Sequence, residues 1–212
     1  DSDGHVTHQA GVNGTALEGG NLSWNVSQGY GRRDREVGDA GITYQGTYGN
    51  ASLGYGYSRN YRQVRYAMSG SAVLHEDGLT LGQPLGHTNV LISAPGAVSV
   101  PVENGTGVRT DWRGYTIMPY ASMYRENRIA LDISKLDDHT DIDNAVSRIV
   151  PTRGALVRAD FKTSTGIRAL VTVLHNGKPL PFGTTVTTSD GASSGIVGES
   201  GEVYLAGLAS QG

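Results

Sequence analysis

Between residues 21 and 28 the chain alternates strictly, with Leu22, Trp24 and Val26 on one side of an extended strand and Asn21, Ser23, Asn25 and Ser27 on the other. The same two-residue period returns at Ile42 and Tyr44 against Thr43 and Gln45. It returns again at Leu53, Tyr55 and Tyr57 against Ser52, Gly54, Gly56 and Ser58, and at Val64, Tyr66 and Met68 against Gln63, Arg65, Ala67 and Ser69. Five strands are predicted, near 5–16, 21–30, 40–48, 51–59 and 63–75. Glu18-Gly19-Gly20 and Gly49-Asn50 read as tight turns, and Arg32-Arg33-Asp34-Arg35-Glu36 as a longer charged loop.

Two architectures share this period. A soluble antiparallel sheet with one solvated face is the simpler one. The other is a membrane β-barrel, in which Leu22, Trp24, Val26, Tyr44, Leu53, Tyr55, Tyr57 and Tyr66 face lipid and Ser23, Asn25, Gln45, Ser52, Gln63 and Arg65 face a polar lumen. Strands of about ten residues, aromatics on the apolar side and small polar groups opposite favour the barrel. Five strands are too few for it, since about eight are needed to close. An open edge in lipid leaves backbone groups without partners, so further strands are expected upstream or in partner chains.

After residue 82 the pattern becomes that of short strands between turns: Val90–Gly96, Tyr115–Pro119, Arg128–Asp132 and Ala155–Phe161. These predict a β-sandwich over 83–166. Ala169–Leu174, the turn His175-Asn176-Gly177-Lys178 and Glu202–Leu205 begin a second β unit over 167–212, which is too short for an independent core and is expected to be incomplete. The fold class predicted is all-β, with barrel strands over 1–82 followed by small sandwich domains; Asp77-Gly78 is a hairpin signal, so the last barrel strand ends either at His75 or near Leu81.

Composition sharpens the boundary. Of the 31 glycines, 15 fall in the first 80 residues, together with seven of the 11 tyrosines; all seven prolines come later. A proline-free, glycine- and tyrosine-rich stretch suits strands that keep every ladder hydrogen bond. A net charge of −3 with scattered basic residues gives no footprint for nucleic acid, which is excluded as a partner. There are no cysteines for a disulfide, thiolate metal site or cysteine nucleophile. No apolar run reaches the roughly 18 residues of a membrane helix, although barrel strands need none.

Candidate chemistry is sparse. His5 and His8, three apart on a strand, fall on opposite faces and do not share a metal. Asp137, His139, Asp141 and Asp143 lack the glycine and glutamate of a calcium loop and read as a solvated turn. Gly198-Glu199-Ser200-Gly201 is one residue short of a nucleophile elbow and lies in a hairpin. Five Asn-x-Ser/Thr sequons (Asn13, Asn21, Asn25, Asn50, Asn104) include two that arise from the Asn/Ser alternation of one strand, and glycosylation is discarded. Neither an enzyme nor a cofactor nor a metal is expected.

Thr110-Asp111-Trp112-Arg113-Gly114-Tyr115, then Pro119-Tyr120-Ala121 and Tyr124-Arg125-Glu126-Asn127-Arg128, closely resemble a signature of the fimbrial outer-membrane ushers of the chaperone–usher pathway, those of type 1 pili among them. So do Gly78–Gly86, Val150–Ala155, Gly177–Gly183 and Gly201–Leu208, in order and nearly end to end. The resemblance implies a C-terminal fragment of a large outer-membrane pore: its last barrel strands, the first C-terminal periplasmic domain and part of the second. It further implies that the whole protein receives periplasmic chaperone–subunit complexes, promotes donor-strand exchange and secretes the pilus through its lumen. The expected partners are those complexes, outer-membrane lipid and the remainder of the usher chain. The alternative is a soluble β-rich adhesin or structural module. Asp111, Trp112, Arg113, Tyr115, Tyr124 and Arg125 are the signature residues, expected to be structural: Trp112 to fill the sandwich core and Asp111 with Arg113 to fix a turn; the alternative is that a buried Trp112 beside that ion pair is an interface hot spot for the chaperone–subunit complex. On that expectation Trp112→Ala lowers the stability of an isolated 84–165 fragment by several kcal/mol.

Overall fold

The computed structural model of the chain describes residues 7–31, 36–191 and 193–208. His5, the start of the first predicted strand and Arg32 to Arg35 of the charged loop lie outside the described residues. The fold is all-β, with single-turn 3-10 helices at Glu18–Gly20 and Ile133–Lys135. Five long strands come first: β1 (Thr7–Ala16), β2 (Leu22–Gly31), β3 (Val37–Gly46), β4 (Gly49–Ser58) and β5 (Tyr61–Ser69). They pair antiparallel in chain order to form one sheet. The turn between β3 and β4 is Thr47-Tyr48, just ahead of the predicted one, because Gly49 and Asn50 already pair with Gly46 and Gln45.

The predicted strand 63–75 is two elements. β5 stops at Ser69, and beyond Gly70 β6 (Ser71–His75) pairs with β7 (Gly78–Gly82) in a hairpin separate from the sheet. Val73 of that hairpin is buried with Leu91 and Ile117. Residues 71–82, grouped with the barrel strands by the sequence pattern, therefore pack on the sandwich. The alternation runs on through Gly70, so period alone hides the change of sheet.

Beyond the hairpin follow β8 (Asn89–Ser93), β9 (Tyr115–Met118), β10 (Asn127–Ala130), β11 (Thr140–Ile142), β12 (Val146–Ile149), β13 (Leu156–Asp160) and β14 (Thr163–Thr165). β8 is the axis, antiparallel to β9 and parallel to β13, and all five of its residues are buried. Burial on both faces explains why Val90-Leu91-Ile92 reads as an apolar run rather than an alternation. β10 pairs with β12 and β11 with β14. Val90, Ile92, Val100, Ile129, Leu131 and Phe161 anchor the main core; a buried side chain of this kind contributes about 1.5–3 kcal/mol.

The last unit holds β15 (Ile167–Thr172), β16 (Leu174–His175), β17 (Lys178–Pro179), β18 (Thr185–Thr187), β19 (Ser194–Ile196) and β20 (Glu202–Leu208). β15 pairs with β20, and β16 with β17 across Asn176-Gly177. Both turn residues have positive φ, 52° and 75°, the type I′ geometry that suits a twisted hairpin. Its buried cluster is small: Val197, Val203 and Leu205.

In the five-stranded sheet, long side chains lie across glycines directly opposite. Trp24 faces Gly14 and Tyr57 faces Gly38 on one side; Asn25 faces Gly41 and Arg65 faces Gly54 on the other. A Cβ at Gly38 would sit 2.1 Å from the Tyr57 ring, and one at Gly14 2.8 Å from Trp24. The missing side chain lets the ring lie over the ladder and shield its hydrogen bonds.

The Asp111–Tyr115 signature is a turn and a clasp. Asp111 is 5% exposed, and its carboxylate accepts the N–H groups of Arg113 at 2.8 Å and Tyr115 at 2.9 Å. Gly114 has φ 95°, and a Cβ there would come within 1.9 Å of the Ala94 carbonyl oxygen, so only glycine fits. Arg113 reaches back to the β6–β7 hairpin, donating to the Asp77 carbonyl at 2.7 Å, the Leu79 carbonyl at 2.6 Å and Thr80 Oγ1 at 3.1 Å. Its guanidinium lies 5.1 Å from the centroid of the buried Tyr115 ring. Trp112, expected in the core, is instead 74% exposed. The turn that aims Arg113 at the hairpin turns its neighbour outward, and aliphatic residues with Phe161 fill the core.

Two outcomes follow. Gly38→Val forces Tyr57 off the sheet and costs about 1–3 kcal/mol, read as a lower unfolding temperature of the full-length protein in detergent. In an isolated 71–165 fragment, Trp112→Ala loses only the cation–π contact with the Arg113 guanidinium, 5.6 Å from its ring, no more than about 1 kcal/mol. Asp111→Ala, which strips two N–H groups of their acceptor, costs about 1–3 kcal/mol. Urea denaturation ranks the two, and the reverse order would place Trp112 in the core after all.

Candidate functional site

The register of the five-stranded sheet stays in one phase across all four pairings. Leu22 faces Tyr44, Trp24 faces Ile42, Ile42 faces Leu53, and Leu53 faces Tyr66. Val26, Tyr55 and Tyr57 share that side through Ala40 and Gly38. The result is one apolar, aromatic surface, largely solvent-exposed among the described residues, with Tyr66 at 84%. On the opposite side Ser23, Thr43 and Ser52 line up, as do Asn25, Gly41, Gly54 and Arg65; Gln63 and Gln45 share that side.

Among the described residues the polar surface is uncharged except for one pair. Arg65 on β5 bonds to Asp39 on β3, reaching across β4 over Gly54 and Gly56. The alternation of β5 puts Arg65 on this face but gives no partner for it, because Asp39 lies on a strand whose early residues, Gly38, Ala40 and Gly41, carry no clear alternation.

Both tight turns at one end of the sheet touch the sandwich. Glu18 Oε1 accepts from Lys135 Nζ at 2.7 Å, and Glu18 Oε2 lies 3.5 Å from Arg109. Thr47 Oγ1 donates to the Gly107 carbonyl and accepts from the Arg109 N–H, each at 3.2 Å. On the sandwich side of this contact, Gln83 Nε2 donates to the Thr106 carbonyl at 2.8 Å and steadies the loop. A cavity of about 310 Å³ opens beside these contacts, between Glu18, Asn21 and the 104–109 loop. The hydrogen bond and charge of Lys135, and then the charge of Arg109, hold the Glu18 carboxyl below its ordinary value. Its charged form is thus complete above the ordinary glutamate range and is lost only as the pH falls through the lowered value. This seam joins residues from 60 to 117 positions apart and leaves no signal in the sequence.

The remaining candidates are local structure. The Asp137 carboxylate accepts the His139 N–H at 3.1 Å, and that of Asp141 accepts the Ile142 N–H at 3.0 Å, as turn residues do. Gly198 to Gly201 closes the turn between β19 and β20, with the Gly201 N–H on the Gly198 carbonyl at 3.2 Å. Tyr124 is exposed, its φ is 55°, and its N–H donates to the Pro151 carbonyl at 2.7 Å. Arg125 is exposed too, and its carbonyl accepts from Asn127 Nδ2 at 2.9 Å.

Comparison with known proteins agrees with this geometry. A family model described as outer membrane usher protein matches residues 1–161, and one described as PapC C-terminal domain matches residues 170–212. The outer membrane usher protein FimD of Escherichia coli K12 is 54% identical over 212 residues, covering 98% of this chain and 24% of that protein. FimD of Salmonella typhimurium LT2 is 50% identical over 210 residues, covering 99% and 24%. The probable outer membrane usher protein ElfC of Escherichia coli K12 is 49% identical over 217 residues, covering 100% and 25%. The chain therefore spans about a quarter of the length of these relatives. Among solved structures, a chain of the Escherichia coli P pilus tip assembly intermediate PapC-PapD-PapK-PapG matches with a TM-score of 0.71 at 24% identity, over 98% of this chain and 26% of its own, a likeness of fold. A sheet with two chemically opposite faces, a clasped sandwich after it and family models over both parts lead to one conclusion: this chain belongs to the outer membrane usher family.

Proposed function

We propose that the whole protein to which this chain belongs is a pilus-assembly usher of the outer membrane. It receives periplasmic chaperone–subunit complexes, promotes their polymerisation by donor-strand exchange and secretes the fibre through its pore. The observation that carries this reading is the in-phase sheet, in a chain whose family is the usher family. The apolar face, Leu22, Trp24, Val26, Tyr44, Leu53, Tyr55, Tyr57 and Tyr66, meets lipid. The opposite face, with Ser23, Asn25, Gln45, Ser52, Gln63 and Arg65, lines the lumen. Small polar side chains and glycines give a folded subunit little to adhere to. β1 and β5 each have one edge without a partner among the described residues, and the remainder of the usher chain supplies the strands that close them. A soluble adhesin is not favoured, since it has no use for so large an exposed aromatic face.

No covalent chemistry is involved. Donor-strand exchange replaces one β-augmenting strand by a better one, so the fibre's own pairing drives the reaction and the usher raises effective concentration. In this reading the barrel portion ends at Gly70, the first C-terminal domain runs from the β6–β7 hairpin to about residue 165, and the rest belongs to the second. Both domains lie in the periplasm.

Leu53 and Ser52 are adjacent, at the same depth on opposite faces. Leu53→Arg is expected to cost about 2–4 kcal/mol near the bilayer midplane, whereas Ser52→Lys stays within about 0.5 kcal/mol. The thermal unfolding of the barrel in lipid measures both, and equal costs would remove the lipid assignment. At the level of function, the full-length gene restores surface fibres to a strain lacking its own usher but supplied with the matching chaperone and subunits. Removing residues 71 onward abolishes them. A correctly inserted full-length protein that yields no fibres would sink the proposal.

A further inference from the structure

The seam between the sheet and the sandwich has the composition of a contact made to be broken. Among the described residues, none of the three buried hydrophobic clusters includes a residue of the five-stranded sheet. What crosses the seam is polar: Glu18 with Lys135 and Arg109, and Thr47 with Gly107 and Arg109. The Glu18 side chain is 69% exposed and that of Lys135 47%, and exposed ion pairs hold weakly and loosen further with salt. A polar interface without an apolar core leaves relative motion as the default expectation.

The covalent link is equally spare. One residue, Gly70, separates the end of β5 from the start of β6. It sits where backbones crowd, since a Cβ there would lie 3.1 Å from the Gly82 carbonyl oxygen and 3.3 Å from that of Tyr48. Across the seam Gly107 is closer still: its φ is 71°, and a Cβ would come within 2.1 Å of the Gln45 carbonyl oxygen. Glycine allows the 104–109 loop to seat flush on the end of β3. The hairpin and the sandwich, by contrast, share a buried apolar cluster of Val73, Leu91 and Ile117, and Arg113 and Arg158 clasp the two together, the latter on Asp77 at 2.9 Å from strand β13.

We propose that this seam is a releasable latch. Glu18 and the Thr47–Gly107 contact hold the hairpin and sandwich, as one body, against the end of the barrel sheet. When those contacts break, that body swings about Gly70 and changes its position at the mouth of the pore. The inference rests on the barrel reading above, but it concerns geometry and can be tested whether or not a fibre is secreted.

The test uses the full-length protein in detergent, with Tyr48→Cys on the barrel turn and Thr106→Cys on the sandwich loop, joined by a short bismaleimide. Both positions are exposed and flank the Thr47–Gly107 contact. The cross-linking yield is expected to fall severalfold in Glu18→Lys, which sets like charge against Lys135 and Arg109. It falls too when salt rises from about 0.05 M to about 0.5 M. Gly107→Asn, which tolerates the backbone conformation but wedges the seam, lowers the yield without touching the ion pairs. Arg148→Glu, which breaks an exposed pair with Glu126 away from the seam, leaves it unchanged. A wild-type yield in Glu18→Lys overturns the latch, and so does an equal fall in Arg148→Glu.

Discussion

From Thr7 to Ser69 every strand keeps the same register phase as its neighbour, and the rest of the molecule is arranged around that fact. Side chains on a strand alternate with period two, so a slip of a single residue in any of the four pairings would carry a strand's aromatic residues to the polar face. The pairing of Leu22 with Tyr44, of Ile42 with Leu53 and of Leu53 with Tyr66 keeps them together. Backbone pairing makes the same demand. A strand in hydrocarbon must satisfy all its N–H and C=O groups within the sheet, and residues 7–69 contain no proline to interrupt a ladder.

Glycine has two physical uses in this chain. Within the sheet it is a space left for a neighbour, as where Tyr57 covers Gly38 and Arg65 covers Gly54. Aromatic and long polar side chains can then lie flat, giving a smooth surface on each side. In the sandwich it is a backbone conformation and a close approach at once. Gly114 lets the signature turn press on Ala94, and Gly107 lets a loop press on β3.

The signature owes its character to a change of direction. Asp111 folds the chain by accepting two N–H groups, and the turn aims Arg113 at the carbonyls of Asp77 and Leu79. That clasp makes the hairpin part of the sandwich, although the hairpin continues the sheet in sequence. It also sets the junction at Gly70, so the seam with the sheet consists of polar contacts and close backbones rather than a shared core.

Local pattern determined much on its own. Alternation across Leu22 to Val26 and Leu53 to Tyr57 was enough to predict strands and their two faces, because period two is a property of the extended chain itself. Asn176-Gly177 announced its hairpin, since few residues other than glycine and asparagine accept positive φ. The motifs from Gly78 to Leu208 pointed to the usher family. Other features required the tertiary structure. The pattern Met68-Ser69-Gly70-Ser71-Ala72 reads the same in either arrangement, so only the partner strand, β4 or β7, decides to which sheet a residue belongs. Trp112 looked like a core residue because large apolar side chains usually are; the turn set by Asp111 turned it outward. Asp39 with Arg65, and Glu18 with Lys135, are pairs formed across sheet and domain. Such contacts depend on register and docking, which bring together residues that no stretch of sequence shows side by side.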